Sequence, residues 1–414
     1  MHKQVAKNTF YQALGKIATS GTGFIITILL AREYGVLGYG DFVKITTYVA
    51  FFYLSLDFGL NAIFLQEKNT KNYKYLFTLR LAIALLILVL SNLIAFFLPY
   101  NKSLDIGYSS FVRLGIFVFS FSYFSQAVIL SCTAIFQKTL NYYSYFKAIF
   151  AGSLLNLTLI GIFVSFKMPL LYIIISFVIS GIVTSLISIV LIYEKKLFAF
   201  NFKYVKKLII TSSPIAIMLI FNLIYFRADI FLLSVLKSTK DVGVYGLSYR
   251  FFEFLIALPL FLSNSLYPFL LKDKNNLRKF YTLVRQYFLI FSLIGILLVI
   301  PFWFISPLFT LIKSEFSLAI VPFRILLLSL PLFFVTSLLQ WTLIAQSKQK
   351  FLMKAYLFSA IINIVLNIIF IPKGSYIASA IITGVSEFII MVVLIIKVFN
   401  LKILLEREYE SKSN

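Results

Sequence analysis

The chain has 414 residues, of which 61% are hydrophobic and 13% charged, with a formal net charge of +23 and a mean hydropathy of +0.96. A soluble protein of this length carries roughly 25% charged residues, so the composition excludes a water-soluble fold. The single cysteine (Cys132) and single histidine (His2) exclude an intramolecular disulfide, an HExxH zinc site and any Cys/His metal cluster, and no GxxxxGK[ST] run is present to hydrolyse ATP.

Apolar runs long enough to cross a hydrocarbon core of roughly 30 Å recur from end to end. Twelve spans are predicted, near 10–31, 41–65, 75–98, 111–136, 143–166, 168–193, 208–234, 242–270, 280–308, 319–345, 351–371 and 375–399. The stretch 143–193 is too long for one crossing. Only Lys167, Met168 and Pro169 interrupt it, so the spacing predicts a tight hairpin there. No short apolar leader with a cleavage site precedes the first span, which is expected to act as its own insertion signal. Pro214, Pro259, Pro301 and Pro331 fall within spans seven to ten. Each removes a backbone donor and bends its helix, either as a hinge or as a static kink.

Residues Val36 to Asn69 reappear without a gap at Val242 to Asn275, an offset of 206. Tyr39-Gly40 falls on Tyr245-Gly246, Lys44 on Arg250, Leu54 on Leu260, Glu67 on Asp273 and Lys68-Asn69 on Lys274-Asn275. Matched leucines are cheap in so apolar a chain, whereas matched cations inside spans are costly. A half-length repeat predicts an all-α polytopic membrane protein of two pseudo-symmetric six-helix bundles, over 1–200 and 201–414, with a site between them.

Placed on alternating sides from a cytoplasmic N-terminus, about 25 of the 38 Lys and Arg fall inside, which orients both termini to the cytoplasm. The positive charge is therefore topology and attraction to anionic lipid, with no nucleic-acid partner implied. The bundle boundary falls in the basic segment 194–207, where Phe198, Phe200, Phe202 and Tyr204 alternate with other residues. That spacing suits an extended segment lying on the headgroups, rings down and cations among phosphates, and equally a plain connecting loop. The outside loops are short and poor in acids, which argues against an enzyme.

Charges within spans usually face a cavity or a partner. Lys16, Lys44, Arg113, Arg250 and Arg324 are the candidate substrate-binding cations; Arg227 and Asp229, late in span seven, are further charges within the membrane. Lys44 and Arg250 occupy equivalent places in the repeat. Facing a common cleft, they would repel one another when it is empty and welcome a polyanion such as a pyrophosphate. Alternatively, Arg250 pairs with Glu253 at i,i+3, and Arg113 and Arg324 snorkel to the outer interface. Asp57, Glu253 and Glu387 are candidates for carrying a proton or sodium ion, or else pair with nearby cations. Asn156, Asn363 and Asn367 either line a cavity or bond between helices. No metal site and no cofactor are expected.

Several short motifs occur in a characteristic order. Asn8-Thr9-Phe10-Tyr11 leads into the first helix, which ends Ala31-Arg32-Glu33-Tyr34-Gly35-Val36, and Asp57-Phe58-Gly59-Leu60 follows in the second. The second half carries Arg227-Ala228-Asp229, Val242-Gly243-Val244-Tyr245-Gly246, Tyr249-Arg250, Glu253, Tyr267-Pro268, Ile371-Pro372-Lys373-Gly374 and Glu387. The whole chain resembles the Wzx-type polysaccharide-biosynthesis flippases, the O-antigen and capsule repeat-unit transporters. Multidrug-and-toxin exporters and the lipid II flippase belong to the same superfamily.

This resemblance implies alternating access in a bacterial inner membrane. The implied cargo is an undecaprenyl-pyrophosphate-linked oligosaccharide, moved from the cytoplasmic to the outer leaflet for a polysaccharide polymerase and chain-length machinery. Lys16, Lys44 and Arg250 would then meet the pyrophosphate. An ion-coupled multidrug exporter and a lipid II-type flippase are the alternatives. Lipid II flippases usually carry two further helices, for which twelve spans leave no room, and the positive intramembrane charge disfavours cationic drugs.

Overall fold

A computed structural model describes residues 2–67, 69–192, 197–274 and 276–413. Lys68, Lys195, Lys196 and Asn275, which contribute to the repeat and to the basic segment, lie outside the described residues.

The described residues are almost entirely helical. In chain order they form α1 (His2–Asp57), α2 (Leu60–Gln66), α3 (Tyr73–Phe97), α4 (Ser110–Ser120), α5 (Ser122–Lys138), α6 (Tyr142–Ser165), α7 (Leu170–Ile192), α8 (Phe202–Leu236), α9 (Thr239–Asp273), α10 (Leu277–Ile305), α11 (Phe309–Ile312), α12 (Ile320–Ala345) and α13 (Gln349–Ser413). Between α3 and α4, β1 (Tyr100–Asn101) and β2 (Ile106–Gly107) pair antiparallel as a small hairpin.

Among the described residues, ten helical stretches are long and apolar enough to cross a membrane. Two of them are double. α1 breaks at Gly35 (φ 64°, ψ −167°) and α13 at Ser375 (φ 47°, ψ −137°). Glycine takes the Gly35 conformation without the steric cost of a Cβ. The Gly35 break falls between the first two apolar runs read from the sequence and the Ser375 break at the start of the last, so the ten stretches amount to twelve crossings. The hairpin between α6 and α7 turns at Lys167 (φ 51°), as the spacing predicts. Pro214, Pro259, Pro301 and Pro331 lie inside α8, α9, α10 and α12, which continue through them.

The packing is inverted relative to a soluble protein. On α7 the buried face reads Ser176, Ser180, Thr184 and Ser188, at intervals of four, while Ile179, Ile182, Leu186 and Val190 are exposed. The buried hydroxyls find helix carbonyls, as Thr184 Oγ1 does at Ser180 O (2.7 Å). Small polar residues let helices approach closely inside a bundle, and the branched aliphatics meet lipid. α3 and α10 likewise expose Leu86, Val89, Leu93, Leu289, Leu293 and Ile296.

The chain divides into two compact units, Met1–Leu223 with Ser238–Gly243, and Ile224–Lys237 with Val244–Asn414. In the first, α1 packs on α6, α6 on α7, α5 on α7 and α3 on α5. The first turn of α9 belongs here. It lies so close to α1 that a Cβ on Gly40 would stand 2.2 Å from the Thr239 carbonyl oxygen. In the second unit α12 packs on α13 and on α10. An apolar cluster there includes Leu339, Leu343, Ile390 and Leu394.

Candidate functional site

The second unit contains three linked polar groups within its apolar helices. Arg227 of α8 and Arg250 of α9 share one carboxylate, Glu253. Arg227 Nη2 contacts Glu253 Oε1, and Arg250 Nη1 lies 3.2 Å from Glu253 Oε2. The Arg227 guanidinium also sits 5.8 Å from the Tyr249 ring centre. Two fixed positive charges against one negative leave the group net cationic. Its members remain accessible, with side chains 31% (Arg227), 40% (Arg250) and 22% (Glu253) exposed.

Two carboxylates lie deeper. Asp229, two residues beyond Arg227, is 3% exposed. It accepts from the Tyr245 hydroxyl, from Ile230 N at 2.7 Å and from Thr383 Oγ1 at 3.3 Å. Glu387 of α13, 2% exposed, accepts from the Tyr225 hydroxyl at 2.6 Å and from Thr336 Oγ1. Tyr225 and Asp229 are four residues apart, so α8 presents both on one face. Asn363 Nδ2 reaches Ser386 Oγ (3.0 Å), and Asn367 Nδ2 reaches Asn363 Oδ1 (3.0 Å).

The cations of the first unit are placed differently. Lys44 is 0% exposed. Its Nζ donates to Gly107 O (2.7 Å) and Thr239 Oγ1 (2.8 Å), tying α1 to the β2 end of the hairpin and to the first turn of α9. Arg80 is also 0% exposed. Its Nε donates to Leu56 O (2.9 Å) and its Nη2 to Asn61 Oδ1 (2.7 Å), with Asp57 Oδ1 at 3.8 Å. These partners flank the helix break at Phe58 and Gly59, where φ is 45° and 67°. Arg80 therefore supplies donors that the interrupted helix lacks. Asn156 accepts from Ser176 Oγ at 3.2 Å, an interhelical bond.

Of the remaining cations read from the sequence, Lys16 is exposed on α1. Arg113 Nη2 donates to Leu98 O (2.6 Å) at the end of α3. Arg324 donates to Ser306 Oγ (2.9 Å) and lies over the Trp303 ring at 4.8 Å. The structure thus gathers Arg250 and Glu253 into one cluster, and it gives Lys44, Arg113 and Arg324 protein partners of their own. Sequence reasoning assigned no role to Arg227 or Arg80. The Arg227-Ala228-Asp229 step placed two opposite charges inside a span, which was the available signal.

A family model described as polysaccharide biosynthesis protein matches residues 5–272, well over half of the chain. The chain belongs to the polysaccharide biosynthesis protein family. A second family model, MatE, matches residues 214–369 of this family member. No curated protein sequence matches it. Among solved structures, the lipid II flippase MurJ in an inward closed conformation shares 15% identity at a TM-score of 0.76, over 94% of this chain and 87% of that one. An inward-facing multidrug resistance MATE family transporter of the MOP superfamily shares 14% identity at a TM-score of 0.69, over 94% and 95%. A MOP-superfamily transporter from Pyrococcus furiosus, described as having a binding pocket of reverse polarity, shares 14% identity at a TM-score of 0.59, over 97% and 96%. At these identities the likeness establishes the fold, which this family member shares with MOP-superfamily transporters.

Proposed function

We propose that this protein is a flippase that carries an undecaprenyl-pyrophosphate-linked oligosaccharide, an O-antigen or capsule repeat unit. It moves this cargo from the cytoplasmic to the outer leaflet of the bacterial inner membrane by alternating access, with both termini cytoplasmic. The observation that carries the reading is the Arg227–Glu253–Arg250 cluster. Two planar guanidiniums, each partly exposed and together only half neutralised, match the bidentate geometry and charge of a phosphate or pyrophosphate. Lys16, exposed on α1, is a second contact for the same anion. Lys44, Arg113 and Arg324 act by holding helix ends and the hairpin in position. Glu387 accepts from two hydroxyls, and Asp229 from two hydroxyls and a backbone amide, which suits a site for an ion that accompanies transport. Asp57 and Glu253 are each tied to arginine and serve the charge balance.

The MatE match over 214–369 and these two buried carboxylates also favour a second reading, an ion-coupled exporter. The two readings separate in cells lacking the gene and complemented by Arg227→Gln/Arg250→Gln. Loss of surface polymer with lipid-linked repeat units held on the cytoplasmic leaflet supports the flippase. Normal polymer with altered sensitivity to cationic compounds sinks it in favour of the exporter.

A further inference from the structure

The segment between α7 and α8 has a face that no protein group covers in full. Residues 197–201 have no regular structure, and α8 begins at Phe202. Side chains alternate. Leu197 packs against the buried cluster of Leu60, Phe64, Tyr73 and Leu76. Ala199 N donates to Thr78 Oγ1 (3.2 Å). Tyr204 OH donates to Glu67 (2.9 Å) and its ring lies 5.1 Å from that of Tyr75. Between these anchors Phe198, Phe200 and Phe202 are 64%, 70% and 70% exposed. Among the described residues Phe198 has a ring neighbour, Phe77 at 5.5 Å edge-on. On the first turns of α8, Lys203, Lys206 and Lys207 are exposed while Val205 and Leu208 are buried. No acidic residue occurs from 197 to 213.

The flanking helices fix the level of this segment. Leu170–Ile192 and Phe202–Phe221 are both apolar enough to cross the membrane. Residues 197–201, which lead into the second of these spans, therefore run where hydrocarbon gives way to headgroups, on the side that the lysine bias assigns to the cytoplasm. Aromatic rings partition to that layer, and lysines gain from anionic phosphates there. We propose that residues 197–207 form an interfacial strap that binds anionic phospholipid of the cytoplasmic leaflet. Phe200 and Phe202 sit at the boundary between acyl chains and headgroups, with Lys203, Lys206 and Lys207 on the phosphates. The inner side of the strap is fastened to the first unit through Thr78 and Glu67, so the lipid meets a surface that is already ordered. The inference does not depend on the cargo.

The test uses the full chain with Phe200→Cys carrying an environment-sensitive NBD label. Cys132 is 0% exposed and stays in place. The protein is reconstituted in phosphatidylcholine nanodiscs with and without phosphatidylglycerol, alongside lipids bearing a nitroxide near the headgroup or deep in the chain. The expected result is blue-shifted emission, quenched most by the headgroup-proximal nitroxide and strengthened by phosphatidylglycerol. Removing Lys203, Lys206 and Lys207 as serines should weaken the preference for phosphatidylglycerol by about fivefold per lysine. Phe202→Cys provides an independent label on the same face. Water-like, unquenched emission at both positions overturns the strap. Quenching that ignores phosphatidylglycerol and the lysines overturns the anionic-lipid assignment. Shielding that appears only in native membranes points to a protein partner and overturns both.

Discussion

Lys44 and Arg250 stand at the same place in the internal repeat, yet the two units treat them in opposite ways. Lys44 is fully buried and spends its charge on a carbonyl and a hydroxyl of its own unit. Arg250 is 40% exposed and shares a single carboxylate with Arg227. Arg80 follows the pattern of Lys44. A cation placed among apolar helices has to find a partner. In the first unit the partners are backbone carbonyls at a hairpin and a helix break together with nearby polar side chains, so the cations become structural. In the second, two arginines share the carboxylate of Glu253, so charge is left over within that group. A sequence repeat therefore fixes where a charge sits along its helix and leaves open what it does there.

The contrast makes graded predictions. The largest effect is expected where the first unit has no spare room. Gly40→Val would drive a side chain into Thr239 O, 2.2 Å from the Cβ position, and should cost more than about 4 kcal/mol. Loss of monodisperse protein in detergent checks this, and a well-folded variant would show that α1 and the first turn of α9 separate readily. Arg80→Leu removes a fully buried cation beside Asp57 and should cost roughly 3–5 kcal/mol, read as a lowered thermal midpoint. Lys44→Met leaves Gly107 O and Thr239 Oγ1 without their donor and should cost roughly 3 kcal/mol. An unchanged midpoint here would restore Lys44 to the list of free, cargo-facing cations. Arg250→Gln should move stability least, by under about 0.5 kcal/mol, while surface polymer falls at least tenfold. A large loss of stability with polymer intact would reverse the comparison.

Much of this was legible in the sequence, for identifiable reasons. Twelve apolar runs are a one-dimensional signal, and so is the Lys167–Pro169 interruption that became the turn between α6 and α7. The i,i+3 pairing of Arg250 with Glu253 also follows from helix geometry alone. What stayed hidden depends on distant partners. Lys44 meets Gly107 and Thr239 at separations of 63 and 195 residues. Asp229 meets Thr383 at 154, and Glu387 meets Tyr225 at 162. Nothing in local spacing says which hydroxyl will face which acid across a bundle. Likewise the repeat could mark Lys44 and Arg250 as equivalent, but not that a hairpin carbonyl would reach only the first.

Glu253 has one more consequence. A carboxylate tethered within bonding distance of two guanidiniums acts as a built-in competitor at a very high effective concentration. Any anion that takes both arginines must first evict it, and on departure the glutamate closes behind the leaving group. Capture is weakened and release is hastened. A receptor would gain nothing from such an arrangement, but a carrier's throughput depends on letting go. On the proposed function, Glu253→Gln should therefore hold the anionic cargo longer and turn over more slowly.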